Sequence, residues 1–143
     1  MARGIPSDVL QHFQRVPLFA SVSKSGLRSI AGAATEVDVP AGKALVRQGE
    51  FGRELYVIVR GTADILKDGG KVSELAPGDF FGEMAFLCPG PRAASVVARS
   101  DMRLMVLDSR AMAVIAERQP VVARRLLETM ARRLRANEKS LTA

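Results

Sequence analysis

The chain has 143 residues, 48% apolar and 25% charged, with a net charge of +6. This is one domain of ordinary size with enough apolar material for a real core, which excludes an intrinsically disordered segment. No apolar run approaches the roughly 18 residues that a membrane span needs, and Met1 to Leu10 lack the apolar stretch of a secretory signal.

Cys88 is the single cysteine, so no intramolecular disulfide is available and nothing argues for an oxidising compartment. A cytoplasmic setting is expected, with Cys88 a small, partly buried residue. His12 is the single histidine and reads as a surface residue of the first helix.

Residues 7–33 read as helical. Ser7 and Asp8 offer N-caps, and Val9, Leu10 and Phe13 recur at helix spacing. A second short helix is predicted near Lys24 to Ala33, with Leu27, Ile30 and Ala31 apolar and Gly32 weakening its end. Residues 35–108 have strand character. Leu55 to Val59, Ala63 to Leu66, Val72 to Leu75, Ala94 to Ala98 and Leu104 to Leu107 are short apolar segments separated by Gly, Pro and Asp. Lys67-Asp68-Gly69-Gly70 is a hairpin turn, since Asp-Gly and Gly-Gly accept positive φ. Tyr56, Phe80 and Phe81 read as core packing at strand positions.

Residues 109–139 are helical again. Ser109 is placed to cap a helix running to about Glu117, and Pro120 suits the first turn of the next. Leu126, Met130 and Leu134 then form an apolar stripe at i, i+4 and i+8. From Arg118 to Lys139 seven basic residues stand against two acidic ones, so this segment carries most of the charge imbalance. Such a run is ordinarily a solvated face, and it also suits nucleic acid, an acidic membrane surface or an acidic partner.

The segment Phe81-Gly82-Glu83-Met84-Ala85-Phe86-Leu87, followed by Pro91-Arg92-Ala93-Ala94-Ser95-Val96, concentrates the chemistry. Arg92 offers a planar fork of donors that pairs bidentately with a phosphate. Gly82 allows close backbone approach, and a short helical turn from Glu83 would add free N–H groups. Glu83 repels phosphate and is suited instead to accept a hydrogen bond from a sugar hydroxyl. The ordinary alternative for Arg92 is a surface ion pair worth about 0–1 kcal/mol, with Glu83 as one available partner when no ligand is bound.

This segment resembles the phosphate-binding cassette of the cyclic nucleotide-binding domain family, which includes catabolite-activator-type regulators, regulatory subunits of cyclic-AMP-dependent kinase and cyclic-nucleotide-gated channels. Pro40-Ala41-Gly42, Gly49-Glu50, Leu55-Tyr56-Val57-Ile58, Gly61 and Pro77-Gly78-Asp79 fall where the family has β-roll turns and strands. The resemblance covers roughly residues 16 to 136. It implies a mainly β fold: an antiparallel, jelly-roll-like β-roll of about eight strands, with N-terminal helices and two C-terminal helices. The whole of residues 1–143 would be one such domain, with its cassette at 80–96 and lid helices at 109–139.

By resemblance, Gly82, Glu83, Met84, Ala85, Arg92 and Ala93 bind the cyclic phosphate and ribose, and Glu83 takes the 2′-hydroxyl. Ala93 lacks the hydroxyl that favours guanine in the family, so cyclic AMP is expected over cyclic GMP, although strand alternation would put the Ser95 hydroxyl on the same face as Ala93. Ile65 and Leu75 are candidates for the apolar wall under the purine. Arg133 is the leading candidate to cover the purine from the last helix, because guanidinium stacks on purine faces.

The implied function is a regulatory sensor module that transmits ligand occupancy through its C-terminal helix. No cofactor or metal is expected, because one histidine cannot build a metal cluster, and no Ser/His or Cys/His pair suggests catalysis. The expected partners are a cyclic nucleotide and an effector protein or fused output domain, and the last helix also allows a homodimer. No DNA-binding unit is read in the chain, and Met1 leans toward a stand-alone gene product. The alternative is a ligand-free relative of the family acting as a protein-interaction or nucleic-acid-binding module.

Overall fold

A computed structural model describes residues 7–141. Helix α1 (Ser7–Arg15), a 3-10 turn (Pro17–Phe19) and α2 (Lys24–Ala33) precede ten strands, and α4 (Ser109–Arg118) and α5 (Pro120–Leu141) follow them. The strands are β1 (Thr35–Val39), β2 (Ala44–Val46), β3 (Phe51–Gly52), β4 (Glu54–Arg60), β5 (Ala63–Lys67), β6 (Gly70–Leu75), β7 (Phe80–Phe81), β8 (Gly90–Pro91), β9 (Ser95–Ala98) and β10 (Met102–Asp108), with α3 (Glu83–Leu87) between β7 and β8. The mainly β antiparallel fold with flanking helices is as expected. The count exceeds eight because β3, β7 and β8 are two-residue strands, too short to show a periodicity in sequence.

Two four-stranded sheets face each other, in the orders β1-β10-β4-β7 and β2-β9-β5-β6, and β3 pairs with β8 beside them. Period-two alternation divides the apolar residues of β4 between two cores. Leu55, Val57 and Val59 point outward to the helices and join Phe13, Leu18, Phe19, Leu27 and Ile30, with Ile115, Val122 and Leu126 from the C-terminal helices. Ile58 points inward and joins Val39, Val46, Ala63, Leu75, Phe81, Val96 and Leu104 in the core of the roll. The consecutive phenylalanines of β7 split likewise, Phe80 to the helical core and Phe81 to the roll.

Local chemistry explains the element ends. Asp68 (φ 53°) and Gly69 (φ 82°) form a two-residue turn between the paired Lys67 and Gly70, where both central residues must adopt positive φ. The tip of this hairpin is tied to the β2–β3 loop: Gln48 Nε2 donates to Asp68 Oδ1 at 2.9 Å, and Asp68 N–H donates to Gln48 Oε1 at 2.9 Å. Ser23 caps α2, its Oγ accepting from Gly26 N–H at 3.1 Å.

Several expectations are corrected. The cap of α4 is Asp108, whose Oδ1 accepts from Ala111 N–H at 2.8 Å, and Ser109 is the first helical residue. Helix α1 already includes Ser7, so its cap position falls outside the described residues, as does the side chain of His12. Cys88 is exposed rather than partly buried, because it ends α3 and the chain turns outward into Pro89. The α5 stripe docks through Leu126 at 1% exposure, but Leu134 is 60% exposed, since the helix runs past the end of the surface that receives it.

Leu55 is fully buried where β4 meets the helices. Leu55→Ala should lower unfolding free energy by about 2–5 kcal/mol through lost burial and the cavity left behind. Urea denaturation of the variant beside wild type measures it.

Candidate functional site

The site is built around a buried guanidinium. Arg92 lies between β8 and β9 and is 8% exposed. Its backbone is clamped to the turn before β3: Arg92 N–H donates to Glu50 C=O at 2.8 Å, and Gly49 N–H donates to Arg92 C=O at 2.9 Å. Nη1 donates to the Glu54 carbonyl at 3.0 Å and to the Gly82 carbonyl at 3.5 Å. The guanidinium carbon sits 5.7 Å from the centre of the Tyr56 ring, which stacks on Phe81 at 4.8 Å with a 6° interplanar angle. Among the described residues no carboxylate pairs with Arg92, so its charge is free to bind an anion from the adjoining pocket.

Two glycines make room for that side chain. A Cβ on Gly52 would stand 2.0 Å from Arg92 Nε. A Cβ on Gly82 would stand 2.5 Å from the Glu54 carbonyl oxygen and 2.7 Å from Arg92 Nη1, and Gly82 also holds φ +87° ahead of α3.

Helix α3 carries Glu83 in its first turn with 7% exposure. The Glu83 carboxylate forms an ion pair with Arg133 of α5. The half-exposed Arg133 also lies over Phe80, 5.3 Å from the ring centre. Burial lowers the basicity of Arg133, and the Asp79 carboxylate opposes that shift. The alternative Glu83–Arg92 pairing does not form: α5 brings Arg133 to Glu83, while Arg92 is turned toward the Glu54 and Gly82 carbonyls.

A pocket of about 160 Å³ joins these groups. The structure brings Gly82, Glu83, Met84, Ala85, Arg92 and Ala93 together around it, with Ile65 and Arg133 also on its wall. Leu75 is not on that wall; it pairs with Ala63 and packs in the core of the roll. Ser95 is also absent from the wall. Residues Ala93 and Ala94 form a bend, so strand alternation does not extend back from β9, and the Ser95 hydroxyl instead accepts from Gln48 N–H at 2.8 Å. Sequence reasoning missed Gly52, the Glu54 carbonyl, and Tyr56 and Phe80 as platforms for the two arginines. These come from strands distant in sequence, and no local spacing marks them.

Tyr56 Oη donates to Glu54 Oε2 at 3.1 Å. Burial first, then the Glu54 charge and this hydrogen bond, push the phenol from 10.0 up to about 12, with Arg92 opposing. The folded value lies above the unfolded one, so the contribution to stability is complete below pH 10 and is lost as pH rises through about 12. Tyr56 is the single tyrosine, so phenolate absorbance should report one late ionisation. Tyr56→Phe should remove the corresponding loss of stability in alkali, measured by denaturation across that range.

The family model described as a cyclic nucleotide-binding domain matches residues 36–119. A cAMP-dependent protein kinase regulatory subunit from Aspergillus niger is 38% identical over 96 residues, 66% of this chain and 23% of that protein. A CRP-like cAMP-activated global transcriptional regulator from Mycobacterium tuberculosis is 30% identical over 132 residues, 89% of this chain and 59% of that one. The chain therefore spans less than two thirds of the length of these curated relatives, 23% of one and 59% of the other. Among solved structures, the Thermus thermophilus catabolite activator protein superposes with a TM-score of 0.82 at 31% identity, covering 88% of this chain and 62% of that one. The cAMP co-crystal of the Toxoplasma gondii PKA regulatory domain gives 0.76 at 26% identity, covering 89% and 49%. With that family model matching more than half of the chain, and with the same mainly antiparallel β fold and flanking helices, the chain belongs to the cyclic nucleotide-binding domain family.

Proposed function

We propose that this chain is a cyclic AMP sensor module that reports occupancy through α5. The observation that carries the reading is the buried Arg92 guanidinium, packed on Tyr56 and held by two carbonyls, with no carboxylate partner among the described residues. A cyclic phosphate supplies the missing countercharge, with the Gly82 and Ala85 N–H groups completing its cradle. Glu83 accepts the ribose 2′-hydroxyl. Met84 closes the pocket over the sugar, Ile65 forms the wall beneath the purine, and Ala93 offers no hydroxyl to guanine, which favours cyclic AMP over cyclic GMP. The cAMP-linked relatives support the choice of ligand.

Transmission follows from the Glu83–Arg133 pair. A ribose hydroxyl bonded to Glu83 meets the carboxylate that also holds Arg133, and Arg133, on the wall of the same pocket, covers the base. Ligand occupancy and the docking of α5 are therefore linked, and linkage of this kind acts in both directions. Arg125 adds a second tether, with Nη1 donating to the Pro17 carbonyl at 3.0 Å and Nη2 bonded to Ser21 Oγ. The signal passes from α5 to an effector protein or a fused output domain.

Calorimetry should show cyclic AMP binding at low micromolar affinity or better, about −8 kcal/mol or more. Arg92→Ala should lose most of it, since a charge-assisted bidentate contact is worth roughly 1.5–3 kcal/mol, and Arg92→Lys should recover only part. Unchanged binding by Arg92→Ala would place the phosphate elsewhere, and no heat at millimolar ligand would reject the function. For transmission, amide exchange should slow in α5 and in the cassette more than in β4 when cyclic AMP is added. An α5 with identical exchange in both states would leave a passive binder.

A further inference from the structure

The roll is open along one side. Strand β1 ends one sheet and β2 ends the other, and the two edges are not hydrogen-bonded to each other. Between them lies a cleft of about 590 Å³, far larger than the cassette pocket, with walls from β1, β2, β4 and β10. Its floor is apolar: Val37, Leu45, Leu104 and Val106 line it beside the ring of Tyr56. Val37, Leu45 and Val106 are only half-buried, so apolar surface remains available there.

The charged residues of the cleft are not equivalent. Glu54 and Asp108 are committed internally, Glu54 to the Tyr56 hydroxyl and Asp108 to the first turn of α4. Lys43 and Arg53 are exposed, and among the described residues no carboxylate pairs with either. An apolar floor beneath two uncommitted cations matches a molecule with an apolar body and a single anionic head.

We propose that this cleft is a second ligand site, for an amphipathic monocarboxylate of the medium-chain fatty acid type. The carboxylate is held by Lys43 and Arg53, as a charge-assisted contact in which Arg53 can engage both oxygens. The chain lies on Val37, Leu45 and Val106 and displaces water from that surface. The site is separate from the cassette, and its existence does not depend on the cyclic nucleotide reading.

The protein carries its own reporter, since Tyr56 is the single tyrosine and there is no tryptophan. Titration of the full chain with decanoate, followed by Tyr56 fluorescence and calorimetry, should saturate at one equivalent. Decanol, with the same tail and no charge, should bind at least about tenfold more weakly, the worth of one charge-assisted hydrogen bond. The Lys43→Glu/Arg53→Glu variant changes two exposed side chains, should fold normally by circular dichroism, and should weaken decanoate to a similar degree. Decanoate should also remain bound when cyclic AMP is added. Non-saturable binding, equal affinity for decanol, unchanged affinity in the charge-reversal variant, or displacement of decanoate by cyclic AMP would each overturn the proposal.

Discussion

The site depends on burying one guanidinium without burying a counterion beside it. Taking an isolated charge out of water is costly by several kcal/mol, and a protein ordinarily offsets this with a carboxylate. Here Arg92 is stabilised more weakly, by the Glu54 and Gly82 carbonyls and the face of Tyr56. Each of these supports has a structural requirement of its own. The Glu54 carbonyl is aimed by β4, Tyr56 is backed by Phe81 of β7, and the space comes from Gly52 and Gly82. The pairing of β4 with β7 and of β3 with β8 is therefore what presents a strong anion-binding group at the pocket.

The same strands contribute to both cores. Residues of β4 face the helices at Leu55, Val57 and Val59, and face the roll at Tyr56 and Ile58. Strand β7 repeats the arrangement with Phe80 supporting Arg133 and Phe81 supporting Tyr56. Arg133 of α5 thus rests directly on Phe80, and Arg92 rests on Tyr56, which the adjacent Phe81 backs. A close-packed interior tolerates little independent movement of such neighbours. The pocket and the last helix thus share a short stretch of β7 as support.

What could be read from the chain followed how local its cause was. The β5–β6 turn was legible because Asp68 and Gly69 suit a conformation that most residues avoid. The cassette was legible because its groups sit on one continuous stretch, Phe81 to Val96. Gly52 and Tyr56 were not legible as parts of the site, since strand pairing brings them to Arg92 from about 40 positions away. Leu75 was misplaced because a single apolar residue in a strand does not declare which neighbour it will meet. Asp108 displaced Ser109 as the cap because two adjacent residues could each fill the role, and the helix start depends on where β10 releases the chain. The α5 stripe was read correctly as apolar, but its period could not show where the supporting surface stops.

The glycines also mark where this domain can be made more robust. Replacing glycine by alanine at a compatible position restricts the unfolded chain and raises stability by about 0.4–1 kcal/mol. That route is closed at Gly52 and Gly82, where a methyl group would strike Arg92 or the carbonyl that holds it. Gly32 is different: it lies within α2, and a Cβ there would meet nothing within 4 Å. The backbone freedom at Gly32 is thus removable, while the freedom at the other two is inseparable from the pocket. An engineer seeking a hardier version of this domain has a place to begin in α2 and two positions to leave alone.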